Sequence, residues 1–183
     1  MYLDAKDLKL KGILNYENIM ASLLVCNILH IKKDVIEDFL KSFNGVEHRL
    51  EFVKTVNGVE YYNDTKSTNP TSTITALKTF DKKINLILGG LNRNQDYHEL
   101  DNYMSNVVNI FAIGETTDIV SDYAKSINIP CKKEYTLDKA MQDIKNIAKN
   151  GEIVLLSTAS SSQDQYPHFE DRGIEFKNIV EKF

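Results

Sequence analysis

Cysteine is scarce. The 183 residues hold two, Cys26 and Cys131, far apart and neither in a Cys-x-x-Cys pair. That excludes a disulfide framework and points to a reducing compartment. Long apolar runs are also missing. The longest, Ile19 to Leu29, is interrupted by Ser22 and Asn27 and is too short to span a bilayer. No signal peptide opens the chain, so a soluble, cytoplasmic protein without a membrane partner is expected. There is no basic stripe. Net charge is −4 and the Lys32-Lys33 and Lys132-Lys133 pairs are not patches, which argues against a nucleic-acid partner. His30, His48, His98 and His168 have no metal-ligand spacing, so no metal site is expected within these residues.

What is present fits a folded domain. Apolar residues make up 42% and charged residues 26%, with both signs mixed, which supplies a core and rules out disorder by composition. Two segments differ in character. In residues 1–45, Ile19, Leu23, Leu24, Ile28 and Leu29 recur at helical spacing, and a second run carries Val35, Ile36, Phe39 and Leu40 before Asn44-Gly45. This predicts a helical hairpin that cannot bury both of its apolar faces unaided. Residues 46–183 alternate between strands and helices. Strands are expected at 51–56, 59–63, 84–88, 108–113, 129–133 and 153–156. Asn57-Gly58 marks a two-residue hairpin turn, Asn69-Pro70 a helix start, and Thr136 a helix cap. Thr116 or Thr117 is expected to cap a helix to Ser126, and further helices are expected at 97–105, 137–149 and 169–183. The alternation predicts a doubly wound, mostly parallel, Rossmann-like α/β sheet with flanking helices.

In such sheets ligands bind beyond the carboxyl ends of the strands, which selects a few loops. Asp64–Asn69 offers an Asp that can accept from sugar hydroxyls and a Lys that can meet a phosphate beside a helix amino terminus, but the same residues also suit a capped turn. Gly89–Asp96 places Arg93 where a carboxylate can be gripped, yet it is equally a glycine-bearing turn with a solvated Arg. It has neither the GxxxxGK[ST] nor the GxGxxG spacing. Ser157–Asp164 offers hydroxyls and amides for a carboxylate, or is a flexible Ser-rich connection.

As a set these residues are more specific. His48-Arg49-Leu50-Glu51, Asn63 through Asn69, Leu88-Gly89-Gly90 with Arg93, Leu155 through Tyr166, and Phe169 through Phe176 follow one another in an order and spacing that resembles the Mur ligase family, in particular its D-glutamate-adding members. Leu10 to Asn18 resembles the G-x-H-N-x-x-N segment late in that family's central domain. The resemblance implies a division into residues 1–45, a helical remnant of a central ATP-binding domain, and residues 46–183, the carboxy-terminal D-glutamate-binding domain. It implies an ATP-dependent ligase that joins D-glutamate to UDP-N-acetylmuramoyl-L-alanine through an acyl phosphate. By motif match, Asn15 and Asn18 are expected near the adenine, Arg49 at the phosphates, Asp64 on the ribose and Lys66 at the reacting phosphoryl end as the catalytic residue. Thr68, Arg93, Ser162 and Phe169 are expected to form the D-glutamate pocket. Leu14 stands in place of the family's usual His, and Thr158 and Ser160 where relatives often carry Pro and Cys.

The family's Gly-Lys-Thr or Gly-Lys-Ser phosphate loop does not occur in the 183 residues. The chain is therefore expected to be part of a larger ligase, inactive alone, with the Mg2+ ligands and the UDP-binding domain elsewhere. Other readings of the same residues are a stand-alone module that binds an amino acid or nucleotide, a Mur-type amide ligase for another amino acid, and a structural reuse of the fold.

Overall fold

The structure, a computed structural model, describes residues 4, 7, 8, 10, 13–43 and 45–183. Lys11, Gly12 and the Leu14 side chain, within the Leu10–Asn18 segment, lie outside the described residues, as does Asn44. The chain divides into two compact units, residues 1–45 and 46–183.

The first unit holds two helices, α1 (Ile13–Ile28) and α2 (Lys33–Ser42). Their apolar residues are largely uncovered: Leu24 is 66% exposed and Ile28 75%, and Val25, Leu29, Val35 and Phe39 are exposed as well, while Ile36 is buried. A two-helix unit has too little interior to bury two apolar faces.

The second unit is a six-stranded sheet in the order β1-β2-β6-β3-β4-β5. β1 (Glu51–Val56) and β2 (Val59–Asn63) form an antiparallel hairpin, and the rest pair in parallel: β3 (Ile84–Gly89), β4 (Val107–Ile113), β5 (Cys131–Tyr135) and β6 (Ile153–Leu156). The hairpin turns through Asn57 (φ 51°) and Gly58 (φ 77°), the two left-handed residues of a type I′ turn. Helix α3 (Pro70–Leu77) begins with Pro70 behind Asn69, whose side chain accepts from Ser72 N. Helix α5 (Leu137–Ile147) begins behind Thr136, which accepts from Lys139 N.

Strand alternation sorts the core into two layers. Leu86, Leu88, Ile110, Ala112 and Leu155 face α3, α4 (Thr117–Ser126) and a 3-10 helix, Tyr97–Tyr103. Ile87, Phe111, Ile113, Val154 and Leu156 face α5 and α6 (Phe169–Glu181). Both faces are covered, so β6 is apolar without alternation, β3 is so but for Asn85, and both are buried throughout.

Three expectations are corrected. The helix expected over 97–105 is the shorter 3-10 helix, because the residues it must bury, Tyr97 and Leu100, recur at a spacing of three, with half-buried Tyr103 next in the row. The strand expected at 129–133 runs from Cys131 to Tyr135: Pro130 has no N–H to donate, and its carbonyl only accepts from Ile110 N. Thr116 precedes α4, but its hydroxyl makes no cap and turns instead to Gly90 and Tyr97.

This layering predicts unequal sensitivity to truncation. Leu86→Ala, in the fully buried β3, should lower unfolding free energy by about 2–5 kcal/mol. Leu24→Ala, on the uncovered face of α1, should change it by less than about 0.5 kcal/mol. Denaturant titration of both variants measures the difference, and equal losses would mean that α1 is buried in solution.

Candidate active-site loops

The return of β6 between β2 and β3 brings the carboxyl-end loops of three strands together. The contact of β3 with β6 continues past the end of β6, through Gly89 N donating to the Thr158 carbonyl (2.9 Å), and then past the end of β3, through Leu91 N donating to the Ser161 carbonyl (2.8 Å). The β2 and β3 loops thus both lie against the segment Ser157–Ser162.

That segment is buried, not a loose connection. Ser157, Thr158, Ala159, Ser160 and Ser162 are all at most 1% exposed. Such burial requires partners for the hydroxyls, and three of the four buried ones are tied as follows. Ser157 Oγ donates to Asp64 Oδ2 (2.7 Å) and lies 3.1 Å from Thr73 Oγ1 on α3. Thr158 Oγ1 donates to the Ser160 carbonyl (2.9 Å). Ser160 Oγ meets Tyr97 OH (2.7 Å) and Gln95 Nε2, and Tyr97 OH in turn donates to Thr116 Oγ1 (2.9 Å). Ser162 is the exception. Its Oγ is buried and has no hydrogen-bond partner among the described residues.

The residues singled out in the sequence fall into three places. Lys66 is exposed, with Nζ 5.8 Å from the centre of the half-buried Phe169 ring, so the β2 loop and the start of α6 present these two side by side. Arg93 is exposed and its Nη2 donates to Gln163 Oε1 (2.7 Å), next to Ser162. Thr68 is half-buried in the β2 loop, with its N–H on the Lys66 carbonyl (3.0 Å). Asn15, half-buried, and Asn18, exposed, lie on α1 in the first unit.

Asp64 is placed differently from an open ribose acceptor. It is 2% exposed, with Oδ1 accepting from Leu50 N (3.1 Å) and Oδ2 from Ser157 Oγ. It thereby fastens the turn that carries Arg49, itself exposed, to the sheet. That turn is unusual: His48 (φ 68°) and Leu50 (φ 46°) are both left-handed without being glycine. Its other fastenings are a His48 N–H on Glu51 Oε2 (2.9 Å), an Asn63 Nδ2 bond to His48 Nδ1 (3.0 Å), and Lys66 N on the His48 carbonyl (3.1 Å). Gly173 of α6 permits this packing, since a Cβ there would lie 2.4 Å from His48 Nδ1. Glu47, His48 and Glu51 approach one another as metal ligands do, but Lys177 Nζ already pairs with both glutamates, and Glu51 Oε2 accepts from Asn63.

Sequence reading missed Arg172 as a working residue. It is 1% exposed. Its Nε donates to Thr65 Oγ1 (2.9 Å), and its Nη2 to the carbonyls of Thr65 (3.1 Å) and Ser160 (3.2 Å). Gly173 beside it was the available signal, because a glycine inside a helix marks a close approach.

Three loops at the carboxyl ends of strands, carrying exposed cations, hydroxyls and an aromatic ring, stand where α/β sheets take their ligands, and their chemistry suits anionic groups. The family described as "Mur ligase, glutamate ligase domain" matches residues 48–160. The UDP-N-acetylmuramoylalanine–D-glutamate ligase of Macrococcus caseolyticus is 39% identical over 182 residues, covering 97% of this chain and 40% of that protein. The ligase of the same name from Aquifex aeolicus is 39% identical over 178 residues, covering 96% and 43%. The UDP-N-acetylmuramate-alanine ligase of Thermotoga maritima shares the fold at a TM-score of 0.72 with 15% identity, covering 96% of this chain and 39% of that one. The chain belongs to the Mur ligase family and spans about two fifths of the length of the curated relatives it matches.

The placement of Asp64 makes a pH prediction. Burial pushes its carboxyl up from the ordinary 3.8 to about 6, against the hydroxyls of Ser67 and Ser157, the Leu50 amide and the Arg49 charge. The folded state therefore disfavours the ionised form, and the stability this group contributes is whole below about pH 4 and lost as pH rises through about 6. Asp64→Asn keeps an acceptor for Leu50 N and cannot ionise. Between roughly pH 4 and 7 the wild type should lose up to about 3 kcal/mol relative to this variant. Urea titrations at the two pH values measure this, and parallel profiles would show that Asp64 is not desolvated.

Proposed function

We propose that this chain is the carboxy-terminal part of an ATP-dependent ligase that joins D-glutamate to UDP-N-acetylmuramoyl-L-alanine in peptidoglycan precursor synthesis, working in the cytoplasm. The observation that carries this reading is the buried, unpartnered Ser162 Oγ beside the exposed Arg93–Gln163 pair. A buried hydroxyl without a partner is costly in isolation and is satisfied by a ligand oxygen. An Arg fork next to it selects a carboxylate.

In this reading D-glutamate lies among Thr68, Arg93, Ser162 and Phe169. Arg93 exchanges its neutral partner Gln163 for a substrate carboxylate, Ser162 Oγ donates to a carboxylate oxygen, and the Phe169 ring covers the apolar stem. ATP with Mg2+ supplies the phosphoryl group that activates the muramoyl-alanine carboxylate as an acyl phosphate. The D-glutamate amine then attacks the acyl carbon, and phosphate leaves. Lys66 is the catalytic residue of this domain: its exposed ammonium offsets negative charge at the reacting phosphoryl end. Arg49 faces the nucleotide phosphates, and Asn15 and Asn18 the adenine. Asp64, the residue expected on the ribose, is 2% exposed and bonded to Leu50 N and Ser157 Oγ, and in this reading it holds the turn that carries Arg49. The donor set in these loops suits anionic ligands, and the Mg2+ ligands belong to the remainder of the parent ligase. The names of the relatives support the choice of D-glutamate, and a T. maritima MurF ligase of the same fold (TM-score 0.58) has been solved in complex with ADP.

Two measurements test the reading. Alone, the chain should release no phosphate from ATP above blank on addition of D-glutamate, because it contains no Gly-Lys phosphate loop; turnover would overturn the fragment reading. In titration calorimetry it should bind D-glutamate weakly, and Arg93→Ala should lower that affinity by at least tenfold, as expected for a charged hydrogen bond of about 1.5–3 kcal/mol. Equal binding by both proteins would remove Arg93 from the pocket, and preference for another amino acid would reassign the substrate.

A further inference from the structure

Arg172 is a cation in the wrong place for a surface helix. It occupies the fourth position of α6, yet is among the largest fully buried side chains. A buried guanidinium normally has a carboxylate against it. Among the described residues Arg172 makes no ion pair. Its bonds go to one hydroxyl and two main-chain carbonyls, those of Thr65 and Ser160. Burial lowers its pKa to about 10, and the more distant Asp164 and Tyr166 only partly oppose this, so it remains charged at neutral pH.

The two carbonyls belong to different loops. Thr65 precedes Lys66 and Thr68, and Ser160 precedes Ser162. The β2–β6 ladder ends with Asp64 N on the Leu156 carbonyl (2.9 Å), and beyond it the guanidinium ties the Thr65 carbonyl to that of Ser160, adding to the Ser157–Asp64 bond. Its planar fork donates along fixed directions and sets their separation. Ser160, whose carbonyl accepts from this buried charge, lies two residues from Ser162, the buried serine of the loop whose hydroxyl has no partner among the described residues.

We infer that Arg172 is a positioning residue for the amino-acid pocket, fixing the Lys66 and Ser162 loops against each other and supplying the positive potential that favours an anion at Ser162. The second half of this inference rests on the proposed reading of the pocket as a carboxylate site; the first does not. Arg172 acts through the loops it holds and does not itself contact substrate. In low-dielectric surroundings a charge acts beyond its hydrogen-bond partners, and a carboxylate bound at Ser162 would add to the partial compensation that Asp164 gives it.

The test uses the whole chain with Arg172→Met and Arg172→Lys, each checked by circular dichroism. Amide hydrogen exchange without ligand reads the positioning. In Arg172→Met, Lys66 and Leu91, whose N–H groups donate to the His48 and Ser161 carbonyls, should exchange at least tenfold faster. The amides of β3 and β4 should be unchanged. Titration calorimetry with D-glutamate reads the charge. Arg172→Lys, which keeps the charge, should retain affinity within about fivefold, while Arg172→Met should lose more than tenfold. Unchanged exchange at Lys66 and Leu91 would overturn the positioning role, and equal affinity of the Lys and Met variants would overturn the electrostatic one. If the wild-type chain bound no D-glutamate, the substrate assignment would fall, and the exchange comparison would still decide whether Arg172 orders the loops.

Discussion

Every feature of the site depends on where the last strand enters the sheet. β6 is made after β3, β4 and β5, and it passes back over them to pair between β2 and β3. Because β2 and β3 are joined through α3, the gap between them is open until β6 fills it. Its four residues are fully buried and pair on both sides, so the strand is fixed in register by apolar burial and by two parallel ladders. The register then dictates the site. Asn63 and Ile87 both pair with Leu156; β2 and β6 end there and pass into their loops, while β3 runs on two residues to Gly89 before its own. Displacement by one residue would turn Leu156 to the wrong core layer and carry Ser157 away from Asp64.

Filling the gap creates a second requirement. The loops above it are buried by the helices around them, and buried loops have backbone and hydroxyl groups that water no longer serves. The chain answers with short polar side chains whose bonds run between loops: Ser157 to Asp64, Ser160 to Tyr97, Thr116 to Gly90. Thr158 and Ser160 belong to this network. A satisfied network of this kind is rigid, because each member loses its partners if one loop shifts. In that setting the unpartnered Ser162 hydroxyl is informative.

Much of the fold was legible because local chemistry and global placement agree. Asn57-Gly58, Asn69-Pro70 and Thr136 act within a few residues of themselves, and the apolar runs of β3 and β6 announce strands buried on both faces. Boundaries failed where a second effect competed, as at Pro130 and at the period of three from Tyr97. The carboxyl-end loops were legible as loops, and the resemblance ordered their residues into a site. Their burial was not legible. Ser157–Ser162 has the composition of a solvated connection, and only the helices packed over it, which are distant in sequence, make it interior. For the same reason the burial of Asp64 and Arg172 was not legible: desolvation is a property of the assembled fold.

The site therefore divides its charges into two kinds by burial, and the division has a physical basis. Lys66, Arg49 and Arg93 are exposed, and water screens them until a ligand excludes it; they are free to meet an anion and to release it. Asp64 and Arg172 are desolvated at folding, and the cost is borne by the core and the loop network whether or not ligand is present. Exposed cations alone would give a mobile and weakly selective anion patch. Buried charges alone would leave nothing to contact substrate. Fixing the loops with the second kind so that the first kind converge on one place removes the ordering step from ligand binding, which is the advantage of a preorganised pocket.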